Sequence, residues 1–413
     1  MPASYAHVLR LPHARTTFAA ALLGRLSYGI VPLSVMLAVT RARGSYTVAG
    51  AVMALFSGTS VFLSPARAAL VDRLGPRRAL VPMTAAYTGL LALLAAVVWR
   101  PGAASPLVLG AVAAAAGACT PPLGPAMRAV WGRIAADPDL LRRAYSLDAV
   151  AEELLFVSGP LLVGLVVAVA PPAVGIVAGA VLIAAGAAGF VRSPVVRSVR
   201  PGRAGATAHD GARGRVLRAI RRPVIAALGV GLALGAADLL VVAFAEDHGP
   251  GGGGAAWPLA ALSAGSAVGG LLNGAVSWRT PAGVRLPLLT AGLGLAVLLA
   301  GLATGLGTLT AVMAAAGFFV SPALTTAYLL ADEAAPSGAR VRAGAWVNTA
   351  VNAGSTAGTA AAGVLAGLLP TGGCLAATGA ATLLVAATAV RGATRRGDAP
   401  RPVGDGDRVT TTP

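Results

Sequence analysis

Residues 46–99 read YTVAGAVMALFSGTSVFLSPARAALVDRLGPRRALVPMTAAYTGLLALLAAVVW, the most informative stretch of the chain. One apolar run fills 46–66 and a second fills 79–99, and all five charged residues of the stretch lie between them. An apolar run of about 20 residues crosses the hydrocarbon core of a bilayer as a helix. The stretch therefore predicts two membrane-spanning helices joined by a short polar loop.

The same alternation continues through all 413 residues, which are too apolar for an ordinary soluble protein. Hydrophobic residues make up 56% of the chain and charged residues 11%, and the mean hydropathy is +0.77. A soluble domain carries roughly a quarter charged residues. We predict an all-α integral membrane protein, with twelve transmembrane helices in two pseudo-symmetric six-helix bundles. The predicted spans are 18–40, 46–66, 79–99, 106–127, 144–170, 173–191, 223–245, 257–277, 286–304, 308–330, 343–369 and 374–391.

The arginines predict the orientation of these spans. With the amino terminus inside, the outside segments hold only Arg41, Arg43 and Arg100 of the 32 basic residues, and Arg25 lies within span one. This bias follows the positive-inside rule. We therefore predict a multi-pass protein of the cytoplasmic (inner) membrane with both termini cytoplasmic. The net charge of +17 is explained by this topology, so no nucleic-acid partner is expected.

A basic segment separates two halves of six spans each. We predict a first bundle over 1–191, a cytoplasmic linker over 192–222 that also attracts anionic lipid headgroups, a second bundle over 223–391 and a cytoplasmic tail over 392–413. The halves repeat weakly: a shift of about 199 residues places Arg143 on Arg342 and Glu153 on Asn352. Transporters built from such repeats bind their substrate between the halves.

The loop after span two resembles the signature loop of the major facilitator superfamily. The resemblance is carried by Asp72, Arg73, Gly75, Arg77 and Arg78, and it departs from the family pattern at Ala68, where the family has glycine. It implies a conformational latch between the halves. A carboxylate at a helix amino terminus gains about 0.3–2 kcal/mol, so Asp72 is expected to cap span eleven near Ala343. The alternative is a loop that serves only as a topology signal.

Two further spans bear on this resemblance. Gly159, Pro160 and Gly164 in span five resemble the exporter-associated motif of the family and predict a kinked helix, with ordinary helix packing as the alternative. Span four lacks the arginine and glutamine motif that proton-coupled exporters carry.

Charges inside the spans are candidate functional groups because burying them in a membrane is costly. Arg25 and Glu153 each lie ten residues beyond an arginine at the membrane edge, or about 15 Å along a helix, so both are expected at mid-membrane and as a pair. We favour Glu153 over Glu152, because it aligns with Asn352 in the repeat. Asp148 is expected to be a solvated residue at the start of span five. The candidate substrate or coupling residues are Arg25, Tyr28, Glu152, Glu153, Asp238, Asn273, Asn348 and Asn352.

The resemblance implies a secondary active transporter that works by alternating access. Few polar groups face a mostly apolar wall, so we expect a small amphiphilic or hydrophobic substrate and an exporter. The alternatives are an importer or a substrate-sensing receptor on the same fold. A membrane-embedded enzyme is not expected, because its nearest polar cluster, Glu246, Asp247 and His248, precedes a glycine-rich loop.

The expected partners are a small-molecule substrate, the lipid bilayer and protons as the coupling ion, and we expect a monomer. No metal or cofactor motif occurs, so no cofactor is expected.

Overall fold

The computed structural model describes residues 5–100, 102, 105–135, 137–199, 216–247, 255–276, 278–335 and 339–397. All regular structure in these residues is helical, which confirms the predicted all-α class. Residues 200–215 of the predicted linker, His248 and the tail beyond 397 lie outside the described residues.

Each of the twelve predicted runs coincides with a helix or a helix pair. In the first half the helices are Ala14–Arg43 (span one), Tyr46–Phe62 with Ser64–Leu74 (two), Pro76–Trp99 (three), Pro106–Cys119 with Leu123–Ile134 (four), Pro138–Val169 (five) and Ala173–Arg192 (six). In the second half they are Arg221–Asp247 (seven), Ala256–Ala275 (eight), Ala282–Ala300 (nine), Leu306–Ala334 (ten), Arg340–Ala366 (eleven) and Thr371–Gly397 (twelve). Short helices at Tyr5–Arg10 and Pro194–Arg197 flank the first bundle.

Most of these helices are long and apolar enough to cross a membrane. Among the described residues nine candidates qualify, with Pro106–Ile134 of span four counted as one, and the two helices of span two, bent by 42° at their junction, qualify together as a tenth. Spans eight and eleven are 20 and 27 residues long, but serine, asparagine and glycine make them less apolar. Both are central to the contacts between the halves, where polar side chains find partners.

Local sequence sets the helix ends. Span five begins at Pro138, a residue suited to a first helical turn, and the Asp137 side chain accepts a hydrogen bond from the Leu140 N–H. Gly75 joins spans two and three at φ 84°, a conformation that residues with a Cβ rarely adopt. The signature loop therefore makes a sharp turn between two helices.

The same helix pairings recur in both halves. Span one packs on five and six, two on four, and three on six; in the second half, seven packs on eleven and twelve, eight on ten, and nine on twelve. The halves meet where span five contacts eight and ten, and where span eleven contacts two and four. This arrangement is the predicted pair of pseudo-symmetric bundles, with a shared interface along the middle of the molecule.

Candidate functional site

A cavity of about 260 Å³ lies on the interface between the two halves. Five of the eight predicted substrate or coupling residues line it: Arg25, Tyr28, Glu152, Asn348 and Asn352. The first three belong to the first half and the two asparagines to span eleven. The remaining wall includes apolar groups such as Phe56, Val61 and Leu123.

Four charged side chains of the first half form one network beside this cavity. Arg25 Nη1 lies 2.7 Å from Asp148 Oδ1, and Arg25 Nη2 lies 2.9 Å from Glu152 Oε2. Arg128 Nε lies 3.1 Å from Asp148 Oδ2, and Arg128 also pairs with Glu152. Two positive and two negative charges cancel, so the buried network is neutral. Glu152 keeps 27% of its side chain accessible, so its carboxylate remains reachable from the cavity.

Helix geometry brings these four groups together. Asp148 and Glu152 lie one turn apart on span five and share a face. Span four is interrupted after Cys119 and resumes at Leu123, and Arg128 lies in the second of its two helices. The Tyr28 hydroxyl donates to the Pro121 carbonyl at this interruption, which ties span one to the break in span four.

The structure corrects two predictions about span five. Arg25 pairs with Asp148 and Glu152, so the predicted Arg25–Glu153 pair is wrong. Glu153 follows Glu152 by about 100° around the helix axis, and its Oε2 instead accepts a hydrogen bond of 2.8 Å from Ser266 Oγ on span eight. Asp148 is not a solvated helix start, because it is fully buried between two guanidinium groups.

The sequence reasoning missed Arg128 because it was counted as an arginine at the membrane edge. Its guanidinium lies 3.7 Å from the ring centroid of Tyr328 on span ten, a cation–π contact across the interface. The Tyr328 hydroxyl lies 3.4 Å from Asn348 Oδ1. The network of the first half is therefore connected to spans ten and eleven. The available signal was the Thr120–Pro122 segment, since prolines interrupt a helix and displace the residues beyond the break.

Arg67 is a second missed cavity residue. We predicted it at the inner end of span two, but the second helix of that span continues to Leu74, and Arg67 is buried and lines the cavity. Its guanidinium donates to the carbonyls of Ser60, Gly117 and Ala118. No carboxylate pairs with it among the described residues, so it adds a positive charge to a cavity whose other charged residues belong to the neutral network.

Three predicted residues lie outside the cavity lining. Glu153 faces Ser266 across the interface. Asp238 is exposed on span seven, and its carboxylate takes part in none of the ion pairs among the described residues. Asn273 is buried at the end of span eight, where its side-chain amide lies 3.3 Å from Ser146 Oγ of span five.

The interface is closed at the end of the molecule that holds Asp72, here called the Asp72 end. The Asp72 carboxylate accepts hydrogen bonds from the backbone N–H groups of Val341, at 3.2 Å, and Arg342, at 2.9 Å. These groups begin span eleven, so the predicted capping contact is confirmed. Of the remaining loop residues, Arg73, Arg77 and Arg78 are exposed and Gly75 makes the turn.

A second contact closes the same end between spans five and eight. Arg143 donates to the carbonyls of Gly274, at 2.7 Å, and Ala275, at 3.1 Å. These carbonyls end span eight, where a positive charge is favourable. The Tyr5 hydroxyl adds a hydrogen bond of 2.5 Å to the Leu271 carbonyl. Both interfaces between the halves are therefore joined at the Asp72 end.

Comparison with known proteins identifies the fold. The family profile of the Major Facilitator Superfamily matches residues 17–239. No curated protein sequence matches the chain. The human organic anion transporter MFSD10 (TETRAN) is similar in structure, with TM-score 0.70 and 15% identity, covering 91% of this chain and 98% of its own.

Two bacterial structures are similar to the same degree. A homologue of the iron transporter ferroportin in an outward-facing state has TM-score 0.72 and 13% identity, covering 93% of this chain and all of its own. The E. coli fucose:proton symporter FucP has TM-score 0.64 and 16% identity, covering 90% of this chain and 98% of its own. At these identities the likeness concerns the fold.

Proposed function

This chain belongs to the Major Facilitator Superfamily of membrane transporters, and on that premise we propose that it exports a small amphiphilic anion by secondary active, alternating-access transport. The observation that carries the proposal is the cavity between the halves, where Arg67 lacks a carboxylate partner among the described residues. Family membership places the protein among transporters and not among enzymes.

The charges of the cavity favour an anionic group on the substrate. Arg25 and Arg128 are compensated by Asp148 and Glu152, whereas Arg67 is held only by backbone carbonyls. A buried guanidinium gains most from a carboxylate or phosphate, which it binds through two parallel hydrogen bonds. A substrate anion at Arg67 would neutralise the cavity while its apolar part contacts Phe56 and Val61.

The contacts at the Asp72 end support alternating access. Asp72 binds span eleven and Arg143 binds span eight, so one side of the cavity is shut by hydrogen bonds that break when the halves rotate. With the predicted topology this is the cytoplasmic side, and the cavity faces outward. The export direction rests on the exporter-like motif around Gly159 and Pro160.

Protons are the proposed coupling ion, with Glu153 as the carrier. Glu153 lies at the interface and is hydrogen-bonded to Ser266, and no ion pair joins it to an arginine of the described residues. A carboxylate that is partly buried without a countercharge is destabilised by desolvation, and proton uptake removes this destabilisation. Coupling requires that the proton affinity of Glu153 differ between the two conformations. Rotation of span eight away from span five changes the surroundings of Glu153 and so meets this requirement.

An importer or a substrate-sensing receptor is the alternative on the same fold. A panel of labelled anionic, neutral and cationic analogues of one apolar skeleton separates these functions in cells with and without the gene. Export predicts lower accumulation of the anionic analogue in cells with the gene, and a protonophore abolishes the difference. Higher accumulation indicates an importer, and binding without any flux indicates a receptor.

The variant Arg67→Gln tests the anion preference, with Arg41→Gln at the opposite end of the bundle as its control. Arg67→Gln is expected to reduce transport of the anionic analogue about tenfold or more, because a charge-assisted hydrogen bond contributes about 1.5–3 kcal/mol, and to spare the neutral analogue. Equal loss for both analogues would contradict an anion site at Arg67.

A further inference from the structure

An apolar groove runs along the outside of the first bundle between spans three and six. It has a volume of about 300 Å³ and is lined by Leu80, Val81, Thr84 and Thr88 on span three and by Ala184 and Ala188 on span six, among others. From Leu80 to Thr88 it extends eight residues, or about 12 Å along the helix. Small alanines on span six leave the space open.

The groove contains polar atoms that lack a partner. Thr84 is 7% exposed, and neither its hydroxyl nor that of Thr88 makes a hydrogen bond with another described residue. A threonine within a helix can donate to the carbonyl one turn earlier, and many threonines of this chain do so, such as Thr290 to Leu286. Both oxygens are shielded from solvent, so the surface that the groove presents is almost wholly apolar.

A basic pocket continues the groove at the Asp72 end. It has a volume of about 310 Å³, and Arg77 and Arg78 of span three line it together with Arg197, which follows span six. All three arginines are exposed, and none forms an ion pair with a carboxylate of the described residues. Their charge is therefore not compensated by the part of the chain that the structure describes.

Contacts with the bundle hold both walls of the pocket in place. The turn at Gly75 positions Arg77 and Arg78 at the start of span three. On the other wall, Val196 is 1% exposed, and the Ser193 hydroxyl lies 2.6 Å from that of Thr17 on span one. The segment that carries Arg197 is thus attached to the bundle.

We propose that this surface binds one anionic phospholipid, with its phosphate at Arg77, Arg78 and Arg197 and an acyl chain in the groove. Guanidinium groups bind phosphate oxygens through charge-assisted hydrogen bonds, and three of them together favour a headgroup with a net negative charge. The apolar groove begins at Leu80, one helical turn beyond Arg77, as required for a headgroup and chain of one molecule. With the predicted topology the lipid comes from the cytoplasmic leaflet, which carries the anionic lipids.

Lipid titration of the purified full-length protein, followed by native mass spectrometry, tests the headgroup contact. Phosphatidylglycerol is expected to bind as one retained copy, in preference to phosphatidylcholine with the same chains. Arg77→Gln with Arg197→Gln is expected to lower phosphatidylglycerol affinity about 25-fold, from about fivefold per arginine. It is expected to lower phosphatidylcholine affinity less, because the choline of that lipid cancels the charge of its phosphate. The control pair, Arg41→Gln with Arg100→Gln, removes the same charge at the opposite end of the bundle.

A second pair of variants tests the acyl chain. Ala184→Phe fills the groove and is expected to reduce phosphatidylglycerol retention, whereas Ala185→Phe, on the neighbouring exposed position, is not. Equal effects of the two arginine pairs, or of the two alanine variants, would overturn the proposal. Displacement of the lipid by millimolar inorganic phosphate would also overturn it, by showing a site for the free anion.

Discussion

Asp148 is the residue on which the buried charges of the first half depend most. It is fully buried, and it pairs with Arg25 and Arg128, which come from different spans. Glu152 contacts the same two arginines but is partly accessible from the cavity. Span five therefore presents one carboxylate for structure and a second that substrate can reach.

Asp148→Asn is expected to destabilise the folded protein by about 3–5 kcal/mol, because it leaves two buried guanidinium groups with one carboxylate. Glu153→Gln is the matched control in the same helix. It breaks no ion pair among the described residues and keeps an acceptor for Ser266, so it is expected to change the unfolding free energy by no more than about 1 kcal/mol. Thermal unfolding of the purified variants in detergent measures both. A larger loss of unfolding free energy for Glu153→Gln than for Asp148→Asn would show that Asp148 does not have the main structural role.

Glu153→Gln has a separate functional expectation. As a mimic of the protonated side chain, it should abolish proton-driven accumulation while sparing downhill exchange of substrate across proteoliposomes. Glutamine keeps a carbonyl that can accept the Ser266 hydrogen bond, so the interface should remain closed. Uphill transport with a wild-type pH profile would exclude Glu153 as the coupling group, and Asp238 would become the next candidate.

Part of this site could be predicted from the sequence. Counting residues from the arginines at the membrane edge placed Arg25 and the carboxylates of span five at matching depth, because depth depends only on helix rise. Partner choice depends on rotation about the axis, and here Glu152 and Glu153 differ by about 100°. Counting alone misplaces Arg128, because the break between Cys119 and Leu123 changes the course of span four.

At the scale of elements, the turn between spans two and three is connected to the start of span eleven. Asp72→Asn removes the charge that accepts two N–H groups of that helix, so the closed state should lose about 0.3–2 kcal/mol. A cysteine at Ser60, within the cavity, should then react up to about thirtyfold faster with an impermeant thiol reagent from the Asp72 end.

This labelling experiment requires replacement of Cys119 and Cys374 and a control for charge. Asp139→Asn is suitable, because Asp139 pairs only with Arg142 among the described residues, three positions later in its own helix. It should leave labelling unchanged. If Asp72→Asn also leaves labelling unchanged and transport intact, the loop serves only as a topology signal.

Spans one and five approach so closely that Gly159 has no room for a side chain. A Cβ at Gly159 would lie 2.5 Å from the carbonyl carbon of Gly29, whereas one at Gly164 would meet nothing within 4 Å. Gly159→Ala is expected to cost about 1–3 kcal/mol in unfolding free energy, and Gly164→Ala should be close to neutral. Equal melting temperatures would show that the spans can separate without cost.

Element boundaries were predicted less well than element number. The apolar run of span two ends at residue 66 and that of span five begins at 144, but the helices extend to Leu74 and start at Pro138. Hydropathy marks the part of a helix that lies in hydrocarbon. It does not mark where the helix ends, and Arg67 and Asp72 lie in this difference.

At the scale of the whole molecule, the recurring helix pairings make each half a similar bundle, and the functional groups break this similarity. The four-charge network belongs to the first half alone, and the second half contributes Tyr328, Asn348 and Asn352. Charge is therefore concentrated on one side of the interface, and uncharged hydrogen-bonding groups lie on the other.

The predicted topology applies to the molecule as a whole. Reporter fusions after Arg222 and near residue 252 should report opposite sides of the membrane, the first cytoplasmic, because span seven separates them. A fusion after Arg43 serves as a control for the outer side. If the first two fusions report the same side, the orientation of the second half is wrong.

The contacts at the Asp72 end determine which of these positions can change during evolution. Asp72 and Arg143 both bind main-chain groups, at residues 341, 342, 274 and 275, which every amino acid except proline can supply in full. Selection on these contacts therefore falls on the two side chains and on Gly274, where an added Cβ would clash with the Tyr5 side chain. Lineages can change the side chains at 341 and 342, where span eleven begins, without a compensating change at Asp72.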